Sequence, residues 1–343
     1  MKNSASIPST IQAGAKKALQ RQAQQILPVL DTLFSDMNYS EITHQRISQQ
    51  THNNEINNSE INYQGLTRSQ HPQFGQVMIK WQLSTDANQN SAGLIYEAGI
   101  LKSINSLSTS KNNLKSRLPV IAPPILAYEN ITVQILSQTQ QLTILVIPYY
   151  LNGSLATQLN VRNHSLLTLQ RKHQFIVQSA QLIANLHNAG WLHNDIKPSN
   201  ILLDGFMPNH ADNSSIIPNL LLTDFALAEP ISESVGASLA GTPAYLAPER
   251  WQGQGATVQS DIYAFGVMIT EILVGERSFN IDNQSNEPLR EWAIQHCQQT
   301  IPTLPLEYSR YQGIVDKVLA KQVHKRYQSM KEVLRDFILL KDK

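Results

Sequence analysis

The chain has 343 residues, of which 41% are hydrophobic and only 15% are charged, and its formal net charge at pH 7 is +1. A chain of this length can form two domains, or one large domain with two lobes. Because 27 basic side chains are balanced by 26 acidic ones, there is no overall positive field to gather nucleic acid. We therefore expect no nucleic-acid partner.

Cys297 is the only cysteine, which excludes an intramolecular disulfide and a thiolate zinc site. The longest apolar stretches, near residues 142–151 and 266–274, are shorter than the about 20 apolar residues that span a bilayer. No apolar block typical of a secretory signal follows Met1. We expect a cytoplasmic protein without a transmembrane segment, and nothing in the sequence specifies an oligomeric state.

The first predicted element is a basic amphipathic helix over residues 11–34, in which Ile11, Ala15 and Leu19 recur at helical spacing. Packing against the main body is the favoured interpretation, and an organelle transit peptide or a membrane-surface helix is the alternative. The glycine-free run 50–59 is predicted to be a loop between two strands. Five strands and one helix follow the first helix, at 41–49, 61–68, 74–81, 91–107 (the helix), 131–137 and 142–149.

After Ser154 the hydrophobic periodicity becomes helical, notably at 169–189, 260–274 and 312–319. A strand-rich half is thus followed by a helix-rich half. This order predicts an α+β fold.

The segment from His193 to Asn200 carries the clearest chemical signal. Asp195, Lys197 and Asn200 place an acid, an amine and an amide within six residues, on a loop between a predicted helix and a predicted strand. Phosphoryl transfer requires a carboxylate, a cation and a metal-binding oxygen close together. A second apolar strand ends at Asp224, whose carboxylate can face the same site and bind a divalent cation.

These two segments resemble the catalytic loop and the metal-binding motif of the eukaryotic-like (Hanks-type) Ser/Thr protein kinases, in the form found in bacteria. The order of the later motifs is also similar to that family. Ala-Pro-Glu occupies 247–249, Asp261 lies near the start of an apolar helix, and Lys-Arg-Tyr at 325–327 is predicted to begin the last helix. The resemblance extends from about residue 41 to residue 339.

The resemblance implies a two-lobed protein-kinase-like fold. Its N-lobe and hinge, a small antiparallel β-sheet with one helix, would comprise residues 39–150. The mainly helical C-lobe would comprise 151–343, and residues 1–38 would form an amphipathic helical extension. No sensor domain is expected after the last helix.

The same resemblance implies ATP and Mg²⁺ as cofactors and protein Ser/Thr hydroxyls as acceptors. It implies that Asp195 orients or accepts the proton of the attacking hydroxyl and that Lys197 neutralises charge on the γ-phosphoryl group. Asn200 and Asp224 are implied to hold the magnesium ion. Three residues are assigned supporting roles: Asp261 as a brace of the catalytic loop, and Glu249 and Arg326 as an ion pair. His193 is expected to be a buried structural histidine.

The nucleotide contacts implied by the resemblance come from both halves of the chain. Lys80 ends a segment similar to the third strand of the family, where the lysine holds the α and β phosphates. Glu97 is its expected partner because it is the only acid between Asp86 and Glu129. The run 146–155 is similar to the family hinge and implies four further roles: Ile147 as gatekeeper, the Pro148 carbonyl and the Tyr150 N–H as adenine contacts, and Leu202 as the floor under the base.

The sequence departs from the family at four places. No Gly-x-Gly-x-x-Gly motif precedes Lys80, and Met78 occupies a position that is usually a small alanine. Asn194 replaces the arginine before the catalytic aspartate, and Ala226 replaces the glycine of the metal-binding motif. Because Asn194 has no charge with which to pair an added phosphate, activity is expected not to depend strongly on activation-segment phosphorylation.

None of these changes removes a charged catalytic group, which favours a working kinase. The alternative is a pseudokinase that serves as a scaffold or regulatory binding module. A small-molecule kinase of the aminoglycoside or choline type is a third possibility. Lys197 and the segment 241–249, which resembles a peptide-docking segment, disfavour it.

Overall fold

The computed structural model describes residues 24–53, 59–84, 93–109, 120–135, 138–205, 218–232, 239–282 and 285–340. The chain divides into two compact units, the first comprising Met1–Ser103 and Pro123–Tyr149 and the second comprising Ile104–Ala122 and Tyr150–Lys343. No helix in the described ranges is long and apolar enough to cross a membrane.

The first unit is built on an antiparallel five-stranded sheet with the spatial order β1-β2-β3-β5-β4. Its strands are β1 (Ser40–Asn53), β2 (Ser59–His71), β3 (Gly75–Ser84), β4 (Ala127–Ile135) and β5 (Gln138–Pro148). Strand β3 lies between β2 and β5, with Lys80 opposite Leu145 and Met78 opposite Ile147. The small antiparallel sheet of the predicted fold is therefore present.

The predicted loop at 50–59 is wrong at both of its ends, at residues 50–53 and at residue 59. Strand β1 continues to Asn53 and strand β2 starts at Ser59, and these two residues pair with each other in the hairpin. Hairpin pairing depends on backbone N–H and C=O groups, so a run of polar side chains does not prevent it. Residues 54–58 lie outside the described part of the chain.

A helix, α1, spans residues 24–36 and packs on the sheet of the first unit. Ile26, Leu30 and Phe34 recur every fourth residue, as one face of a helix requires, and all three are buried. They join one apolar cluster with β3 side chains such as Ile79 and Trp81. Packing against the main body, the favoured interpretation of the predicted helix, is thus confirmed for this portion, and residues 11–23 lie outside the described ranges.

Replacing Leu30 by alanine is expected to lower the free energy of unfolding by roughly 2 to 5 kcal/mol, because Leu30 is fully buried and its loss leaves a cavity. Urea unfolding followed by circular dichroism measures the change. Ser35→Ala on the exposed side of the same helix is the control. Equal stability of the two variants would contradict the packing of α1 against the sheet.

Helix α2 (Leu94–Thr109) carries Glu97 in its first turn. The side chain of Gln82, on β3, accepts a hydrogen bond from the Leu94 N–H at 2.8 Å. This contact fixes the start of α2 beside the strand that carries Lys80. The helix predicted at 91–107 is therefore confirmed, with ends shifted by a few residues.

The second unit is mainly helical. Its helices are α3 (Leu155–Gln158), α4 (Val161–His164), α5 (Leu169–Asn188), α6 (Pro248–Trp251), α7 (Val258–Val274), α8 (Pro288–Gln298), α9 (Gln312–Val318) and α10 (Met330–Leu339). Two short antiparallel pairs accompany them, β6 (Trp191–Leu192) with β9 (Glu229–Pro230) and β7 (Ile201–Asp204) with β8 (Asn219–Leu222).

Helix α7 is the buried centre of this unit. It is apolar on nearly all sides, as a helix surrounded by protein must be. Thr257 and Ser260 form a capping box at its start. It ends at Gly275, whose φ of 87° is the left-handed conformation that favours glycine after a helix. Asp261 lies in its first turn, so a rigid element positions this carboxylate.

The last helix does not begin at 325–327 as predicted. Arg326 has extended backbone, and α10 starts at Met330. Ser329 is the N-cap, and its hydroxyl accepts a hydrogen bond from the Glu332 N–H. Arg326 therefore precedes the helix, and its side chain bonds Glu249.

Candidate active site

The loop that contains Asp195, which is the predicted catalytic loop, is hydrogen-bonded to the first turn of α7. The carboxylate of Asp261 accepts hydrogen bonds from the backbone N–H of His193 at 2.9 Å and of Asn194 at 3.0 Å. It also accepts one from Nε2 of His187, at the end of α5, at 2.9 Å. Burial alone would raise the pKa of Asp261, but the bond from His187 and the backbone donors hold it below its usual value. The predicted bracing by Asp261 is confirmed.

Asp195 is 8% exposed and is surrounded by hydrogen-bond donors. Lys197 Nζ lies 2.5 Å from its Oδ2, and Thr242 donates to its Oδ1 through both the backbone N–H, at 3.0 Å, and Oγ1, at 2.7 Å. Burial alone would raise the pKa of Asp195, but the bonds from Lys197 and Thr242 hold it below the usual value. Asp195 is therefore an ionised carboxylate that can accept or orient a proton.

Thr242 lies in the segment 241–249, whose resemblance to the family implies the Ser/Thr form, but its contact with Asp195 is not among the predicted site contacts. Its Oγ1 lies 2.7 Å from Nζ of Lys197 as well as 2.7 Å from Asp195. The segment 241–249 is thus bonded to both Asp195 and Lys197 through one side chain. The sequence shows Thr242 forty-seven positions away from Asp195, and nothing in that spacing identifies a contact.

Asn200 and Asp224 are attached to neighbouring backbone segments. The Asn200 amide nitrogen donates to the carbonyl of Asp195 at 2.9 Å and to its Oδ2 at 3.1 Å, so the amide oxygen is the atom that remains to ligate a cation. The Asn200 carbonyl accepts the Thr223 N–H at 3.0 Å, directly before Asp224. Asp224 has a φ of 69° and starts a short 3₁₀ turn.

The donor chemistry at these two residues fits magnesium. An amide oxygen and a carboxylate are hard oxygen ligands, and Mg²⁺ is usually held by one or two protein groups together with substrate phosphates and water. In the ranges that the structure describes, no three His, Cys, Asp or Glu side chains form a metal cluster. A pair of hard oxygen donors suits an ion that takes its other ligands from phosphates and water.

His193 is fully buried beneath the loop. Its Nδ1 accepts the Asp195 N–H at 3.3 Å, its Nε2 donates to the Thr223 carbonyl at 3.1 Å, and its ring contacts Phe225. Burial lowers its pKa. A neutral ring with both nitrogens bonded is a structural link between the catalytic loop and the segment before Asp224, as the sequence analysis expected.

Within the first unit, Lys80 Nζ lies 2.6 Å from Oε1 of Glu97. Glu97 is buried, and both side chains come from well-formed elements, β3 and α2. The predicted ion pair is confirmed.

The three residues predicted to contact adenine are placed at the end of β5, just after it, and in β7. Pro148 is the last residue of β5 and pairs with Val77. The next residue, Tyr149, donates its N–H to the Gln76 carbonyl. Tyr150 belongs to the second unit, and half-buried Leu202 lies in β7, where its backbone bridges to Ser154.

Glu249 and Arg326 form a buried bidentate pair. Arg326 donates from both terminal nitrogens to the two carboxylate oxygens at 2.8 Å each, and Ser260 donates to Oε1 at 2.8 Å. The guanidinium also lies over the Tyr263 ring, 4.8 Å from its centre. The predicted ion pair is confirmed. It joins the end of the segment 241–249 to the residues before α10, and Ser260 adds a contact to the start of α7.

An aromatic cluster around His296 packs near α6 and α7. The ring stacks on Trp251 and Trp292, and its Nδ1 lies 3.0 Å from the Tyr263 hydroxyl. Burial, together with the positive charge of Lys321, lowers the pKa of His296 from 6.5 to about 3. The folded protein therefore keeps this histidine neutral.

Lowering the pH from about 7.5 to about 5 is expected to destabilise the fold through His296. The unfolded histidine gains a proton below its usual pKa of 6.5 whereas the folded one does not, so the free energy of unfolding falls by about 2 kcal/mol at pH 5. Buried His193 contributes in the same direction. Urea unfolding of wild type and His296→Gln across this range tests the effect, and equal pH slopes for the two proteins would contradict it.

Comparison with known proteins finds a family match over more than half of the chain, including strands β4 and β5 of the first unit. A family model described as the protein kinase domain matches residues 123–338. The chain is 32% identical over 157 residues to the probable serine/threonine-protein kinase PknB of Lactococcus lactis, covering 44% of this chain and 22% of that protein. It is 31% identical over 180 residues to the serine/threonine-protein kinase PknB of Mycobacterium leprae, covering 49% and 26%.

A plant protein is also similar to part of this chain. The probable L-type lectin-domain containing receptor kinase S.5 of Arabidopsis thaliana is 36% identical over 156 residues, which is 42% of this chain and 22% of the plant protein. The chain thus spans about a quarter of the length of these curated relatives. Lys80 and Glu97 lie before the residues that the family model matches.

Proposed function

This chain belongs to the protein kinase family, and on that premise we propose that it transfers the γ-phosphoryl group of ATP to serine and threonine hydroxyls of proteins. The observation that carries the proposal is the ionised carboxylate of Asp195, held by Lys197 and Thr242. The printed names of the two PknB relatives, both serine/threonine-protein kinases, support it.

Asp195 orients the acceptor hydroxyl and accepts its proton as the oxygen attacks the γ-phosphorus. Its depressed pKa keeps it ionised at neutral pH, so its contribution is mainly to position the hydroxyl and to take the proton late in the reaction. Lys197, 2.5 Å from Asp195, is placed to neutralise negative charge on the transferred group.

Asn200 and Asp224 would hold Mg²⁺, which when bound neutralises charge on the nucleotide phosphates. The protein's own part is to fix these two oxygen ligands. Asn200 is fixed by its bonds to Asp195. Its carbonyl accepts the Thr223 N–H, and Asp224 is the next residue in the chain. The ligands and the base are thus tied to one another through Asn200.

In this proposal the nucleotide contacts are those that the family resemblance implies. Lys80 contacts the α and β phosphates and is held in place by Glu97. The Pro148 carbonyl and the Tyr150 N–H contact adenine, and Leu202 packs under the base. Residues 39–150 then form the kinase N-lobe and hinge, 151–343 the C-lobe, and 1–38 a helical extension. We place the activity in the cytoplasm, where ATP is abundant.

The choice of acceptor is tested with a library of Ser-, Thr- and Tyr-containing peptides. Lys197 and Thr242, both bonded to Asp195, match the Ser/Thr form of the family, so phosphoserine and phosphothreonine are expected as the products with Mg²⁺ and ATP. Mass spectrometry identifies the modified residue. Phosphotyrosine as the main product would contradict the proposal, and so would the absence of any phosphopeptide.

A further inference from the structure

We propose that Asn194 and Glu229 form a positioning pair that fixes the segment after Asp224 against the catalytic loop without a bound phosphate. The Asn194 amide nitrogen donates to the Leu227 carbonyl at 2.9 Å and to Oε1 of Glu229 at 2.5 Å. The inference rests on the proposed function, because it assigns these residues a role in phosphoryl transfer.

The orientation of the Asn194 amide is decided by these two bonds. Both partners are acceptor oxygens, so only the NH₂ end of the amide can face them. The opposite end, Oδ1, is buried and has no hydrogen-bond partner among the described residues. A buried oxygen without a partner is costly. The fold therefore tolerates a cost at Oδ1 in order to keep both bonds from the nitrogen.

Both ends of the pair are anchored by backbone. Asn194 has a φ of 64°, a left-handed conformation that asparagine tolerates better than most residues, and its N–H is held by Asp261. Glu229 lies in β9, opposite Leu192 of β6, and two residues later Ile231 donates to the Gly190 carbonyl. The side-chain bond thus joins two segments that already run side by side.

The pair holds the end of the 3₁₀ turn that follows Asp224. Asp224 precedes the 3₁₀ turn Phe225–Leu227, and the carbonyl of Leu227, the last residue of that turn, is one of the two acceptors for Asn194. Asn194 is also directly followed by Asp195. Its amide therefore sets the distance between the catalytic base and the segment that carries the proposed metal ligand.

The neutral amide of Asn194 needs no added phosphate as its partner. A cationic residue at position 194 would need an anion as its partner, whereas the amide is satisfied by the Glu229 carboxylate of the same chain. That carboxylate also repels a phosphate placed beside it. The pair is complete without modification, which gives a structural reason for activity that does not depend on activation-segment phosphorylation.

Four variants separate the pair from a general structural role. Glu229→Gln keeps the acceptor oxygen, so its kcat should stay within about twofold of wild type, whereas Glu229→Ala loses the bond and should lower kcat about tenfold. Asn194→Asp replaces the donating amide nitrogen by a carboxylate oxygen, which then faces the acceptor oxygens of Leu227 and Glu229. Its kcat should be about a hundredfold lower than that of wild type. Combining Asn194→Asp with Glu229→Gln restores a hydrogen bond between the two positions, because the new amide can donate to the new carboxylate. The kcat of the double variant should be about tenfold higher than that of Asn194→Asp alone.

The kinetic measurement includes KM for the peptide, which should change little in Glu229→Ala because Glu229 lies outside the docking segment. Glu276→Ala, at an exposed glutamate of the same unit, is the control. If wild type is active and both Glu229→Ala and Asn194→Asp have the wild-type kcat, the inference is overturned, whereas the proposed function stands. Equal loss in Glu229→Gln and Glu229→Ala, or no recovery in the double variant, would also overturn it.

Hydrogen exchange tests the same contact independently of activity. The amides of Ala228 and Ile231 should exchange faster in Asn194→Asp than in wild type and return toward the wild-type rate in the double variant. If wild type transfers no phosphate, the proposed function fails, and exchange still decides whether the pair fixes this segment. Unchanged exchange in Asn194→Asp would overturn the inference.

Discussion

Replacing Asp195 by asparagine is expected to lower turnover roughly 10² to 10⁴-fold and to leave the Kd for ATP nearly unchanged. The carboxylate accepts bonds from Lys197, Thr242 and Asn200, and an amide at this position can accept only some of them while it loses the ability to take a proton. Steady-state kinetics and nucleotide titration of the same preparations separate the chemical step from binding.

Asp316→Asn is the matched control for this substitution. Asp316 is an exposed aspartate in α9 that accepts a bond from the Gln312 side chain, so the same chemical change there should leave turnover at the wild-type value. If Asp195→Asn retained more than about a tenth of wild-type turnover, Asp195 would not be the catalytic base. A large parallel loss of ATP affinity would instead indicate a role in binding.

Removing one partner of the buried Glu249 and Arg326 pair is expected to have the largest effect on stability. Either Glu249→Ala or Arg326→Ala leaves the other charge buried without its partner, which costs about 3 to 5 kcal/mol of the free energy of unfolding. Both side chains are almost fully buried and joined by two bonds of 2.8 Å. Urea unfolding measures the loss.

The double variant, Glu249→Leu with Arg326→Met, should lose less than the sum of the two single variants, because no isolated charge remains. The exposed pair of Glu287 and Arg290 is the control, since both of its side chains are open to solvent. Arg290→Ala should leave the unfolding midpoint unchanged. Strict additivity of the Glu249 and Arg326 variants would show that the two side chains do not stabilise each other.

Much of the catalytic loop could be predicted because its chemistry is local. Asp195, Lys197 and Asn200 lie within six residues, and a loop between a helix and a strand brings such neighbours together regardless of the rest of the fold. The pairing of Lys80 with Glu97 spans more sequence, yet it could be predicted because the one helix of that region offers a single acid.

The contacts that could not be predicted join segments far apart in the chain. Thr242 reaches Asp195 across 47 residues, and Asn194 reaches Glu229 across 35, so both depend on how the fold returns the later segment to the loop. Hydrophobic periodicity describes the face that an element buries, and a polar contact of this kind leaves no periodic signal.

Two element boundaries were misread for physical reasons. The hairpin of β1 and β2 continues through polar residues because its backbone bonds need no apolar side chains. The start of the last helix was signalled by Ser329, three residues before Glu332, which is the pattern of a capping box. The Lys-Arg-Tyr run at 325–327, the predicted helix start, carries Arg326, whose side chain forms the buried ion pair.

The central claim, that this chain is a working kinase, is tested most directly by measuring transfer of labelled γ-phosphate from ATP to Ser/Thr peptides with and without Mg²⁺, for wild type and Asp224→Asn. Wild type should bind ATP more tightly with Mg²⁺ and transfer phosphate only in its presence. Asp224→Asn should lose the Mg²⁺-dependent part of the affinity, because a carboxylate ligand of the cation is removed. A wild-type protein that binds no Mg²⁺-ATP and transfers no phosphate would contradict the claim.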